Sequence, residues 1–69
     1  MEEREDVSIG QMIREAREKK GLSQTDLAKL MGVTRATVNG LESDRSSPSF
    51  KTLQKVAKAL RLPLQINLG

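Results

Sequence analysis

The sequence contains no cysteine and no histidine among its 69 residues, and its only aromatic residue is Phe50. The chain therefore cannot form disulfides or the usual thiolate and imidazole metal sites. It also lacks the commonest nucleophile and the commonest general base of enzymes, and no histidine is present to activate hydroxyl groups such as those of Ser23 and Ser46. We expect no catalysis, no metal and no cofactor.

Long hydrophobic runs are also missing, and their absence argues against a location in the membrane. No apolar stretch approaches the roughly 20 residues that are needed to span a bilayer. The first six residues are mostly acidic, unlike the basic start of a secretory signal peptide. We expect a soluble protein of the cytoplasm.

Charge is distributed unevenly along the chain. Residues 1–7 contain four acidic residues and one arginine, whereas the rest contains eleven basic and five acidic residues and carries a net charge of +6. A compact basic body attracts polyanions, so nucleic acid or an anionic membrane surface is the first class of partner to consider. A merely solvated cationic surface is the alternative. Because one aromatic side chain cannot stack several unpaired bases, binding to single strands is disfavoured.

Apolar residues recur at helical spacing through residue 60, and each segment begins with a serine or threonine that can cap a helix. The pattern predicts four helices: from Ile9 to a left-handed Gly21, over 24–31, over 35–42, and after Ser49, with Ser47 as the alternative cap. Their apolar positions include Met12 and Phe50. Helical geometry ends at Pro63, after which apolar and polar residues alternate as in a strand.

The second and third predicted helices are separated by three residues, Gly32, Val33 and Thr34. Two short helices joined by such a glycine-containing turn form a helix-turn-helix, whose second helix enters the DNA major groove. Ala28 and Gly32 are interpreted as small because the two helices cross closely.

Residues 22–42 read LSQTDLAKLMGVTRATVNGLE, and this run closely resembles the helix-turn-helix of the Xre and phage-repressor (Cro-like) family. The likeness extends from Ile9 to Leu60. It implies an all-α, lambda-repressor-like domain of four to five helices that binds double-stranded DNA and regulates transcription. We expect an acidic flexible N-terminus over 1–7, the DNA-binding domain over 8–62 with its helix-turn-helix at 23–42, and a dimerisation strand over 63–69.

The third predicted helix turns Val38 and Leu41 toward the core, so its opposite face presents the residues that read bases. These candidates are Arg35, Ala36, Asn39 and Gly40. Arg35 can donate two hydrogen bonds to guanine, Ala36 can contact a thymine methyl, and Asn39 can contact an adenine edge or a phosphate. Solvent-exposed side chains without a ligand are the alternative. Gly40 departs from the family pattern. At this position either the backbone approaches DNA closely or the protein makes few contacts with bases.

Polar and basic residues around this helix are candidates for phosphate contacts: Gln24, Thr34, Thr37, Arg45 and Lys51. Gln24 opens a helix, where backbone amides favour an anion, and the resemblance implies the same role. Arg45 matches a basic position of the family, although Arg45 and Lys51 could also serve solubility alone. The resemblance further implies that Arg17 and Glu42 form a salt bridge that holds the reading helix.

The resemblance weakens after Leu60, because many relatives have glycine at the position of Arg61 and continue into a fifth helix. An isolated strand leaves its backbone groups unpaired. We therefore expect Leu64, Ile66 and Leu68 to mediate a homodimer through strand pairing, and the dimer to act as a repressor on a palindromic operator. A strand after four helices also resembles the HipB-type antitoxins. The alternative function is thus an antitoxin that neutralises a HipA-type toxin and autoregulates its operon.

Overall fold

Four α-helices make up the fold over residues 8–63, the part of the chain that this computed structural model describes. They are α1 (Ile9–Lys19), α2 (Gln24–Met31), α3 (Arg35–Glu42) and α4 (Phe50–Ala59). The predicted helix starts are confirmed, and α4 begins after Ser49 rather than after the alternative Ser47. None of these helices is long and apolar enough to cross a membrane. The predicted strand over 64–69 and the acidic residues 1–7 lie outside the described residues.

Each helix begins at a hydroxyl side chain that accepts a hydrogen bond from a backbone N–H in the first turn. The four caps are Ser8, Ser23, Thr34 and Ser49. In α2 the contact is reciprocal, because the backbone N–H of Ser23 donates to the Asp26 carboxylate at 2.9 Å. This hydrogen bond lowers the pKa of Asp26. Since all these contacts span three residues, the local sequence suffices to specify where the helices start.

The core is built from apolar residues of all four helices. It consists of Ile13, Leu27, Ala28, Met31, Val38, Leu41, Val56 and Leu60. Three apolar positions of the predicted helical stripes remain largely outside it, since Ile9 is 48%, Met12 57% and Phe50 51% exposed. Phe50 opens α4, ahead of Leu53, the first residue of that helix to pack against the core.

Two glycines meet different structural needs. The interpretation that Gly32 is small because α2 and α3 cross closely is wrong. Gly32 has a φ of +73°, and a Cβ there would meet no atom within 4 Å, so left-handed backbone and not crowding favours glycine. The close approach occurs at Gly10, where a Cβ would lie 2.5 Å from the carbonyl oxygen of Leu41 and 2.6 Å from that of Glu42. Gly10 therefore lets α1 cross the end of α3.

The end of α4 is a turn that reverses the chain. Arg61 adopts a left-handed φ of +56°. The backbone N–H of Arg61 donates to the Lys58 carbonyl at 3.1 Å, and that of Leu62 donates to the Ala57 carbonyl at 2.8 Å. This pair of bonds is a Schellman motif, whose left-handed position is usually glycine. The turn brings Leu62 back beside α4.

Candidate nucleic-acid interface

The outward face of α3 carries the residues that the sequence predicts to read bases. Arg35 and Ala36 are exposed, whereas Asn39 and Gly40 are half-buried. Ala36 and Gly40 lie one turn apart, and a Cβ at Gly40 would contact only the hydroxyl oxygen of Ser46, at 3.6 Å. No side chain longer than a methyl group therefore covers the backbone of α3 at these two positions.

Gln24 links the start of α2 to this face. The side-chain nitrogen Nε2 of Gln24 donates to Oε1 of Glu42 at 3.1 Å and lies 3.4 Å from Oδ1 of Asn39. The side chain predicted to contact phosphate is thus half-buried and engaged within the protein. The structure brings Gln24 and Asn39 together as one polar surface.

A buried ion pair lies beneath that surface. Arg17 and Glu42 are each only 8% exposed. Nε of Arg17 donates to Oε2 of Glu42 at 2.6 Å, and Nη2 donates to Oε1 at 3.0 Å, a two-bond geometry that fixes the relative orientation of both groups. Nη1 of Arg17 also donates to the carbonyl oxygen of Leu22 at 2.7 Å. One guanidinium therefore joins α1, the turn before α2 and the end of α3.

Opposing effects set the pKa of Glu42. Burial alone would raise it, because the charged carboxylate loses solvent, but hydrogen bonds from Arg17 and Gln24 outweigh this effect and lower the pKa. The hydrogen bond to Glu42 correspondingly raises the pKa of Arg17. Both groups are therefore charged at neutral pH, and the pair is ionic.

A polar cleft opens between the starts of α2 and α3, and three arginines line it, Arg14, Arg17 and Arg35. Arg17 is neutralised by Glu42, and Arg14 pairs with Glu18 at 3.3 Å on the surface. No acidic side chain of residues 8–63 forms an ion pair with Arg35, which leaves its charge available to an anionic ligand. Over the same residues, no cluster of acidic side chains is placed to hold a metal ion.

The remaining phosphate candidates flank α3. The hydroxyl oxygens of Thr34 and Thr37 lie 3.0 Å apart at its start. Arg45 follows its end and donates from Nε to the hydroxyl of Ser43 at 3.1 Å. Lys51 is exposed in the first turn of α4. The structure thus joins the two threonines directly and places the two basic residues in the segment that follows α3.

The sequence patterns do not reveal the contact that fixes the loop beside Arg45. Asp44 adopts a left-handed φ of +62°. Its Oδ1 accepts a hydrogen bond from the backbone N–H of Gly10 at 3.1 Å, which satisfies a free donor at the start of α1. Aspartate tolerates left-handed backbone better than most residues do, but nothing in the sequence pairs it with a glycine 34 residues away.

Most of the chain matches a known protein family. Residues 13–67 fit the family described as Helix-turn-helix. The chain belongs to the Xre-type helix-turn-helix family. Its α2 and α3 are the two helices of the motif, and this family consists of DNA-binding regulators of transcription.

This helix-turn-helix chain is similar to proteins of a phage and of a bacterium. It is 36% identical over 58 residues to the ImmF control region 10 kDa protein of Bacillus phage phi105, covering 84% of this chain and 64% of that protein. It is 47% identical over 47 residues to the antitoxin HigA1 of Mycobacterium tuberculosis, covering 68% of this chain and 32% of the antitoxin. The chain thus spans less than two thirds of the length of either relative.

Solved helix-turn-helix structures share the fold. The restriction-modification controller protein C.AhdI from Aeromonas hydrophila has a TM-score of 0.76 and 42% identity, over 80% of this chain and 83% of that one. The P22 c2 repressor protein, solved in complex with the synthetic operator 9T, has a TM-score of 0.72 and 29% identity over the same shares. The arrangement of the helices is therefore that of a controller protein and of a repressor.

Proposed function

We propose that this helix-turn-helix protein is a sequence-specific repressor that binds a palindromic operator as a homodimer. The observation that carries the proposal is the exposed charge of Arg35 at the start of α3, which forms no ion pair within residues 8–63 and lies beside the polar pair of Gln24 and Asn39. The similarity to a repressor solved with a synthetic operator supports it. Such a role keeps the expectation of a cytoplasmic location, where the protein has access to DNA.

In this proposal α3 enters the major groove, and its residues divide into readers and positioners. Arg35 donates two hydrogen bonds to a guanine, and Asn39, next to Gln24, contacts an adenine edge or a phosphate. Ala36 and Gly40 allow close approach of the backbone. The phosphate contacts come from Gln24, Thr34, Thr37, Arg45 and Lys51, with Gln24 exchanging its 3.4 Å contact with Asn39 for a phosphate oxygen. Arg17 and Glu42 touch no DNA and hold α3 in place.

Two substitutions separate reading from positioning. Arg35→Ala should cost about 1 to 3 kcal/mol for each half-site of the preferred operator and relax the preference at one base pair of each half-site, because a base contact is lost there. Arg45→Ala serves as the matched control, since it removes an equal charge that, in this proposal, contacts only the phosphate backbone of DNA. It should weaken binding to all sequences alike and reduce the slope of log affinity against log salt by about 0.9 for each half-site, about 1.8 for the dimer.

The measurement is fluorescence anisotropy on a selected operator and on random duplex, each over a series of salt concentrations. Equal losses on both duplexes for Arg35→Ala would show that Arg35 is not the reader. Duplex affinity that does not change with salt would contradict the proposed phosphate contacts altogether.

The homodimer is proposed to form through residues 64–68 and to place two copies of α3 about 34 Å apart, one turn of DNA. Removing residues 64–69 should therefore yield monomers and abolish most operator affinity while the basic surface of residues 8–63 remains. Sedimentation equilibrium at micromolar concentrations tests this. A monomeric full chain, or a truncated chain that still dimerises, would contradict strand pairing.

An antitoxin that neutralises a toxin and represses its own operon is the second candidate. The similarity to the antitoxin HigA1 favours it, over a region that covers 32% of that protein. A toxin reading frame immediately beside this one, whose product forms a stable complex with this chain, would establish the antitoxin role. If the chain binds its operator but forms no complex with the product of a neighbouring gene, the antitoxin role is refuted and the repressor role is retained.

A further inference from the structure

An apolar groove runs between α1 and α4 and includes none of the DNA-contact candidates. Its lining contains no polar side chain. The walls are Ile9, Met12, Ala16, Leu53 and Ala57. Ile9 is 48% exposed and Met12 is 57% exposed, so the groove presents large apolar side chains to solvent within residues 8–63. Covering this groove with another apolar segment would remove these side chains from water and so stabilise the fold.

The chain itself turns into this groove. The Schellman turn at Arg61 reverses the direction of α4, and the next two residues, Leu62 and Pro63, line the groove. Residue 64 therefore follows in the sequence directly after a residue of the groove lining. The segment nearest in the sequence that can cover the groove is therefore residues 64–69.

The pattern and the length of residues 64–68 match the groove. Leu64, Ile66 and Leu68 alternate with two polar residues, so an extended segment would present all three apolar side chains on one face. At about 3.3 Å per residue these positions span about 13 Å. The α1 wall, from Ile9 to Ala16, spans about 10 Å at about 1.5 Å per residue. A segment of this length can lie along the groove.

We propose that Leu64, Ile66 and Leu68 dock into the groove between α1 and α4 of their own chain. Docking uses one face of the extended segment and leaves its backbone edge free to pair with a second copy. The inference thus deepens the proposed homodimer, and the part of it that concerns pairing with a second copy rests on that proposed function. Docking of the segment into its own groove requires neither DNA nor a second chain.

A pair of matched substitutions tests the groove. Met12→Gln should raise the unfolding equilibrium constant of the full chain about fivefold to tenfold, because a polar amide would face the docked segment. The control is Leu30→Gln, since Leu30 is 58% exposed, close to the 57% of Met12, but lies on α2 outside the groove. It should change the constant by no more than about twofold. Removing residues 64–69 should eliminate the difference between the two variants.

Urea unfolding followed by circular dichroism at two protein concentrations gives these constants. Equal effects of Met12→Gln and Leu30→Gln in the full chain would overturn the proposal. So would a difference between them that survives removal of residues 64–69, because the groove would then be sensitive without its occupant.

Cysteine pairs distinguish this chain's own segment from that of a second copy. Because the chain has no cysteine, Met12→Cys can be combined in turn with Leu64→Cys, Ile66→Cys or Leu68→Cys without background. A disulfide within one chain, detected by mass after oxidation and denaturation, is expected for at least one pair. Disulfides only between chains, or none for any pair, would overturn docking within the chain.

The outcomes for docking and for the proposed function are separable. A monomer with a disulfide within one chain would refute the homodimer and retain docking. A dimer that binds its operator but shows neither the Met12 effect nor such a disulfide would refute docking alone.

Discussion

Replacing Glu42 with glutamine tests the buried ion pair, because the substitution removes one charge and keeps the shape of the side chain. In the structure the carboxylate accepts two hydrogen bonds from Arg17 and one from Gln24. A glutamine presents an NH₂ group in place of one oxygen, so at least one of these N–H groups would face another donor. The guanidinium of Arg17 would remain buried, with only the exposed carboxylate of Glu18, 3.9 Å from Nη2, to oppose its charge.

The expected loss is large relative to the stability of so small a domain. Removing one partner of a buried ion pair costs about 3 to 5 kcal/mol. The carbonyl oxygen of Leu22 still accepts from Arg17, so we expect the lower end of this range, about 3 kcal/mol. A single core of this size supplies only roughly 3 to 5 kcal/mol in total. Glu42→Gln should therefore leave much of the protein unfolded at room temperature.

Urea unfolding in the presence of a stabilising osmolyte provides a folded baseline for the unaltered protein and for Glu42→Gln. Glu18→Gln is the matched control, since Glu18 pairs with Arg14 at 3.3 Å on the surface with more than half of each side chain exposed. Glu18 also lies 3.9 Å from Arg17, much farther than the 2.6 Å of Glu42, so the control removes only the weaker partner of the same guanidinium. An exposed pair of this kind contributes about 0 to 0.5 kcal/mol. If Glu42→Gln cost no more than Glu18→Gln, the argument that burial makes the Arg17 pair structurally important would be refuted.

The pH dependence of the same comparison follows from the pKa of Glu42. Because folding lowers this pKa, the carboxylate contributes stability that is fully present above the unfolded value of about 4.3. That contribution is lost as the pH falls through the lower folded value. The difference in unfolding free energy between the native protein and Glu42→Gln should therefore be constant from neutral pH to about pH 5 and narrow below about pH 4.

Three further substitutions probe the backbone, each measured by urea or thermal unfolding. Gly10→Ala should lower the unfolding free energy by roughly 1 to 3 kcal/mol, since its Cβ would lie within 2.8 Å of three oxygens of Leu41, Glu42 and Asp44. Gly40→Ala should raise it by about 0.5 to 1 kcal/mol, because the new methyl group has room beside Ser46 and the unfolded chain loses freedom. If Gly40→Ala also weakens operator binding, the backbone approaches DNA at that position. Arg61→Gly should raise the unfolding free energy by about 0.5 to 1 kcal/mol, as the φ of +56° suits glycine. An unchanged or lowered stability for Arg61→Gly would contradict the assignment of the turn.

The sequence specifies the helices because their signals are local. The cap at Ser23 and its reciprocal partner Asp26 are three residues apart, so their pattern is visible without a fold. Contacts between distant segments leave no such mark. The closeness of Gly10 to α3 and the hydrogen bond from Gln24 to Glu42, 18 residues away, depend on how the helices cross.

Gly32 shows how the reason for a glycine can be misassigned from the sequence. Glycine at the end of a helix is compatible both with tight packing and with left-handed backbone, and only the open space around Gly32 separates the two. At the candidate site, the sequence identified the exposed face of α3 from the buried positions of Val38 and Leu41. It did not reveal that Gln24 is engaged with Asn39, because both residues also look like ordinary surface amides.

The small residues on the outward face of α3 bear on how this protein can acquire new operators. Ala36 is exposed, and Gly40 has room for an added Cβ. Neither position belongs to the core, whereas their neighbours Val38 and Leu41 do. Ala36 can therefore be replaced by a larger polar residue, and Gly40 by a residue with a Cβ, with little change in packing. In the proposed complex with DNA, these side chains would face the base edges. In the proposed complex, positions 36 and 40 are therefore the sites at which variants with altered DNA specificity would be selected while the scaffold stays the same.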